Sequence, residues 1–250
     1  GRVQIAELKA ADIATRTTAQ VGALTTDQVK SGLTTAQVAA LGTAQVVALS
    51  SSQVGVLTTA QIVALNSAQV GALETRDLGA LGAAQIAAIV AADIAGLKTS
   101  QIAALSTAQL AGLTTDQVVA LSSVQVGALS TAQVASLGTA QVVAIGSADI
   151  KALKTAQIAA LTTDQVKGLT TDQISALSTA QVVALSSVQL GALSTAQFAA
   201  LGAGSLARLS TAEIAALSTV QIAALKAADI ATLTTAQVGA LTTDQVKSGL

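Results

Sequence analysis

The chain contains no Pro, Cys, Met, Trp, Tyr or His, and a single Phe, Phe198. Without aromatics it cannot draw its buried area from ring side chains, so the core must be thin and made of Leu, Val, Ile and Ala. Without cysteine there is neither a disulfide framework nor a thiolate metal site, although this does not fix the redox compartment. Without histidine the commonest general base and imidazole ligand are missing. Charge is scarce: 12 basic and 13 acidic residues leave a net charge of -1 over 250 residues. That is not the footprint of a protein that neutralises a phosphate backbone, so nucleic acid is not an expected partner.

Long apolar runs are also missing. The mean hydropathy is +0.67, yet almost every octad places Ser or Thr and Gln or Asp among its apolar residues. The best spanning candidate, Ala80 to Leu97, carries Gln85 and Asp93, so membrane insertion is not expected. No initiator Met, basic leader or cleavage site is present, and the chain reads as a piece of something longer.

What is present is a repeat of eight. With the consensus Leu-Ser/Thr-Thr-Ala-Gln-Val-Ala-Ala, slot one recurs at every eighth residue from Leu33 to Leu241, with Ile89 and Ile145 as the only substitutes for Leu. Two units have nine residues, 24–32 and 241–249, and about 31 units fill the chain. Slot six is apolar in all 31 units, and slot one is Leu in 28 of 31, with Arg16 the one polar exception. These two slots are the expected core. Slot eight, mainly Ala or Gly, fits a close approach of two backbones. Slots two, four and seven admit charged residues and are expected to face solvent.

The apolar spacing alternates between three and five, which suits neither an uninterrupted helix nor a heptad coil. Slots one and six have opposite parity, so a strand would send them to opposite faces. The reading is an all-α solenoid, one short helix and a corner per octad, over a single domain of residues 1–250; the alternative is a β-solenoid. Gln in slot five (24 of 31 units) and Ser or Thr in slot three (25 of 31) are helix-start signals. If slot two is the N-cap, Gln at N3 completes a capping box; if slot three is the cap, its hydroxyl serves the next amides. A Gln at the same place in every coil can also bond to the neighbouring coil's backbone. Asp replaces Gln at 12, 77, 93, 149 and 229, and where slot three is Ala, at 12, 93 and 229, the carboxylate is expected to stand in for the missing hydroxyl. A lone octad buries too little to offset the ordering of its backbone, so the units must stack.

Above the octads lies a longer period. The segments 8–33 and 225–250 are identical apart from Arg16 against Leu233, which shifts the numbering by 217 between the copies. A parent protein that repeats a block of this length is expected. So is head-to-tail association into filaments, because neither end carries a polar capping unit.

No catalytic, cofactor-binding or metal-binding residue is assigned. Lys30, Lys151, Lys167 and Lys247 in slot seven, and Lys9, Lys98, Lys154 and Lys226 in slot two, are read as solubilising. Asp27, Asp116, Asp164, Asp172 and Asp244 in slot four are read as helix-start charges, since no unit supplies the convergent oxygens of a calcium site. The chain is therefore expected to be no enzyme and to use no cofactor.

Units such as Leu41-Gly42-Thr43-Ala44-Gln45-Val46-Val47-Ala48 resemble the octad tracts of very large bacterial secreted or surface adhesin-like proteins. That resemblance covers the whole chain and implies an extracellular or cell-surface stalk, spacer or adhesive array. The same strings are similar to the first helix of TAL-effector repeats. The base-reading loop and second helix of that longer repeat are absent here, and its DNA function is not carried over. The expected role is a structural array or self-assembling scaffold. The alternative is a binding module that presents Ser/Thr columns to a repetitive ligand such as polysaccharide or ice.

Overall fold

A computed structural model describes residues 2–249. The chain is all-α: 31 helices of four to seven residues, one per repeat, and no strand among the described residues. The β-solenoid alternative is thereby overturned. The chain divides into two compact units, Gly1–Ala128 and Leu129–Leu250. Each is a solenoid of stacked short helices.

The octad 33–40 shows how the local structure arises. Thr34, in slot two, is extended (φ -77°, ψ 162°) and its hydroxyl accepts the Gln37 N–H at 3.2 Å, while the Gln37 side-chain carbonyl accepts the Thr34 N–H at 2.8 Å. This is a reciprocal capping box, and it decides that slot two is the N-cap. The helix Thr35–Ala39 follows. It closes after one turn and a half, with Ala40 near φ -83°, ψ -8° and the Leu41 N–H donating to the Val38 carbonyl at 3.2 Å. Leu41 then turns the chain into the next cap. No described residue has a positive φ, so the corner needs no left-handed glycine.

The nine-residue unit is absorbed by lengthening the helix. Thr26–Gly32 has seven residues, and the Leu33 N–H reaches back to the Gln28 carbonyl at 2.9 Å. Val29 and Leu33 thus stay in the core despite the extra residue.

Within each unit a helix packs on the third one along. Thr35–Ala39 lies against Thr59–Val63 in the first unit, and Thr139–Ala144 against Thr163–Gly168 in the second. Slots one and six form the core as expected, with Val38 and Leu41 buried and Phe198 fully buried in slot six. Slot eight is small because the coil beneath abuts it. A Cβ on Gly96 would stand 2.8 Å from the Ser67 carbonyl oxygen, and one on Gly112 would stand 2.9 Å from the Ala83 Cβ. The stretch closest to a membrane span in the sequence is broken into Ala83–Ala88 and Ala91–Ile94. No helix among the described residues is long and apolar enough to cross a membrane.

Candidate functional site

The feature that repeats with the chain is a ladder of buried glutamines. Gln37, Gln69, Gln117, Gln165 and Gln181 are each at most 3% exposed, an unusual place for an amide that is normally solvated. Their side chains use both their acceptor and their donors. In the first unit the Gln69 amide nitrogen donates to the carbonyls of Val38 at 3.0 Å and Leu41 at 2.7 Å, while its side-chain oxygen accepts the Asn66 N–H at 2.9 Å. In the second unit Gln181 repeats this with Ile150 at 3.0 Å, Leu153 at 2.8 Å and the Ser178 N–H at 2.8 Å.

The carbonyls reached lie 31 and 28 residues back, in slot six of the fourth preceding octad and slot one of the third. One coil of the solenoid therefore takes between three and four octads. The carbonyls that a short helix leaves unpaired at its C-terminal corner are satisfied by the coil above. Among the described residues no buried side-chain nitrogen or oxygen lacks a partner. The inter-coil bond expected of glutamine is present, though its partners there are carbonyls; the side-chain oxygen of Gln69 and Gln181 serves the amide of its own N-cap.

The exposed slots differ from expectation in one respect. Slot-two hydroxyls are occupied as cap acceptors, whereas slot three, at the first helical position, is mostly exposed and is not the cap. The Ser/Thr preference of slot three is thus not explained by capping. The carboxylates at 12 and 229 do not replace a slot-three hydroxyl either. Asp12 accepts the Lys9 N–H at 3.2 Å and Asp229 the Lys226 N–H at 3.1 Å, taking over the acceptor half of the glutamine's role. Asp27, Asp116, Asp164, Asp172 and Asp244 lie in first helical turns, and Lys30, Lys167 and Lys247 in last turns. These placements complement the helix dipole and suffice to account for both sets.

Asp77 is fully buried. It accepts the Glu74 N–H at 3.2 Å and the Ser51 hydroxyl at 2.9 Å, with the Arg76 guanidinium at 3.6 Å. Sequence reasoning did not find Ser51 as its partner, because the two are 26 residues apart and no local pattern joins them. No cluster of three or more acidic side chains able to hold a metal ion occurs among the described residues. A cavity of about 240 Å³ marks the uncovered apolar side of the first coil, lined by Ile5, Leu8, Ile13, Arg16, Val21 and Leu24.

Eight stretches, residues 31–59, 70–107, 86–123, 119–145, 142–179, 174–203, 203–235 and 221–248, match the ALTTAQ repeat. The chain belongs to the ALTTAQ repeat family. The six letters of that name run from slot eight to slot five. In structural terms they spell the corner, the core leucine, the N-cap and the glutamine that closes the capping box. The family signature of this ALTTAQ array is thus the set of residues that starts each helix and ties it to the coil beneath. No curated protein matches the chain.

Proposed function

We propose that this ALTTAQ array is a non-catalytic structural element, a stalk, spacer or self-assembling scaffold within a larger secreted or surface protein. The observation that carries the reading is the fate of the buried polar groups. In octad after octad the cap hydroxyl and the glutamine oxygen are consumed in starting the helix, and the glutamine nitrogen and the corner carbonyls in holding one coil on the next. Among the described residues the charged side chains lie mostly at helix ends, Glu74, Arg76 and Asp77 meet as an ion-paired group, and no acidic cluster able to hold a metal ion occurs. The likeness to octad tracts of adhesin-like proteins supports the extracellular placement. A spacer has a direct test: chains with eight fewer or eight more octads should change their maximum dimension in solution scattering by a constant increment per octad, with unchanged helicity per residue. A dimension that does not track octad number would overturn it.

A second reading rests on slot three. A binding module needs one exposed column kept chemically uniform, and slot three, Ser or Thr in 25 of 31 units, is that column. Its hydroxyl and methyl groups recur once per octad and suit a repetitive ligand such as a polysaccharide or ice. Replacing Thr155, Thr179 and Thr211 by Lys should abolish binding on a glycan array, or thermal hysteresis, while leaving the melt intact. A wild-type chain inert in both assays removes this reading.

A further inference from the structure

A solenoid of near-identical octads has a register problem. The glutamine ladder is the same at every rung, so a coil that takes up or loops out one octad exchanges each bond for an equivalent one. Something less uniform must say which octad sits on which. The departures from consensus in slot five supply it. Asp77 accepts the hydroxyl of Ser51 at 2.9 Å, and Asp93 accepts the hydroxyl of Ser67. Both partners are in slot three, 26 residues earlier.

The same spacing recurs in the sequence. Serine fills slot three at 51, 67, 123, 147 and 187, and four of these five stand at that spacing before an acid in slot five: Asp77, Asp93, Asp149 and Glu213. Asp229, the one other slot-five acid with a residue so far before it, follows Ala203; none follows a threonine. From Gln61 onward, fifteen of the eighteen slot-five glutamines follow a threonine at that distance. Glutamine brings its own donors, whereas a carboxylate only accepts and so needs a donor from the coil beneath. Serine supplies one with a freely turning hydroxyl. Threonine in a helix has fewer χ1 choices, and its methyl group would desolvate the charge.

We propose that the pairs Ser51–Asp77 and Ser67–Asp93 are register keys, the specificity-determining contacts that fix which octad stacks on which. A slip of one octad in either direction would set Asp77 against Thr43 or Thr59, and Asp93 against Thr59 or Thr75. Each such slip places a carboxylate on a threonine, so the pairs penalise alternatives as well as favouring the native stack. This role holds whatever the array carries.

The test uses the whole chain. Deleting residues 81–88 changes the spacing of Ser67 and Asp93 and of no other pair, while deleting 105–112 lies outside all four spans. The first deletion should melt lower and less cooperatively than the second. After it, Thr59 takes the place of Ser67 in the spacing to Asp93, so adding Thr59→Ser should restore the melt, whereas Thr59→Ser in the intact chain should not raise it. Equal melts for both deletions, with no rescue, would overturn the proposal. Should the shortened chains not fold, Ser67→Thr and Asp93→Gln in the intact chain decide. Each alone should lower Tm by about 2–4 °C, and together they should recover it by recreating the common rung. Losses that simply add would refute the pairing.

Discussion

Glutamine in slot five combines one side-chain acceptor with two donors on a stem long enough to reach a neighbouring coil. Two tasks follow, and they can be separated. Gln69 both closes its capping box and donates to Val38 and Leu41, whereas Gln20, in the first coil, is exposed and accepts the Thr17 N–H at 3.0 Å. Gln20→Ala should cost about 1 kcal/mol, the worth of a cap. Gln69→Ala should cost about 2–4 kcal/mol, because two buried carbonyls lose their donor as well. Urea midpoints at constant m-value would check this, and equal costs would show that the ladder adds nothing to the cap. The capping box could be read from the sequence, since Ser/Thr and Gln three apart suffice to suggest it. The burial of the glutamine could not. Which carbonyl it meets depends on the number of octads per coil, which only tertiary stacking sets.

Helices of four to seven residues do not persist alone in water, so stacking decides the local structure here and intrinsic propensity decides little. The period of eight, the two core slots and the choice of helix over strand were legible, because the parity of slots one and six excludes a half-buried strand. The choice between slots two and three as the cap was not, since both are rich in hydroxyls. Slot seven shows how far packing overrides position in the repeat. A Cβ on Gly71 would lie 2.7 Å from the Gly96 carbonyl oxygen of the next coil, while one on Gly79 would meet nothing within 4 Å. Gly71→Ala should therefore destabilise by about 1–3 kcal/mol. Gly79→Ala, at the same slot inside the helix Thr75–Ala80, should stabilise by about 0.5–1 kcal/mol. Paired thermal melts read the signs, and a gain at both positions would mean that the coils do not approach as closely as described.

At the scale of the molecule the long repeat that carries Leu8 onto Leu225 acquires a structural meaning. Gln37 donates to the carbonyls of Ile5 and Leu8, both at 2.7 Å, and the counterparts of those two residues in the second copy are Ile222 and Leu225. Gln45 in the same way seats on Ile13 at 3.0 Å and Arg16 at 2.7 Å, whose counterparts are Ile230 and Leu233. The last coil therefore offers the seat that residues 34–57 occupy on the first. It is uncovered in this chain: Val238 and Val246, in the core slot that is buried from Ile13 to Ile222, are 46% and 48% exposed. Adding a copy of residues 34–57 after residue 250 should extend the solenoid by nearly one coil. Tm and total helicity should rise, and the two valines should be protected in hydrogen exchange, because nearest-neighbour stacking is what stabilises such arrays. A copy of the same composition with its slots scrambled should remain unfolded and protease-sensitive. If the native-order copy is cleaved as fast as the scrambled one, the equivalence of the two coils is one of sequence alone, and the long period does not describe a continuing stack.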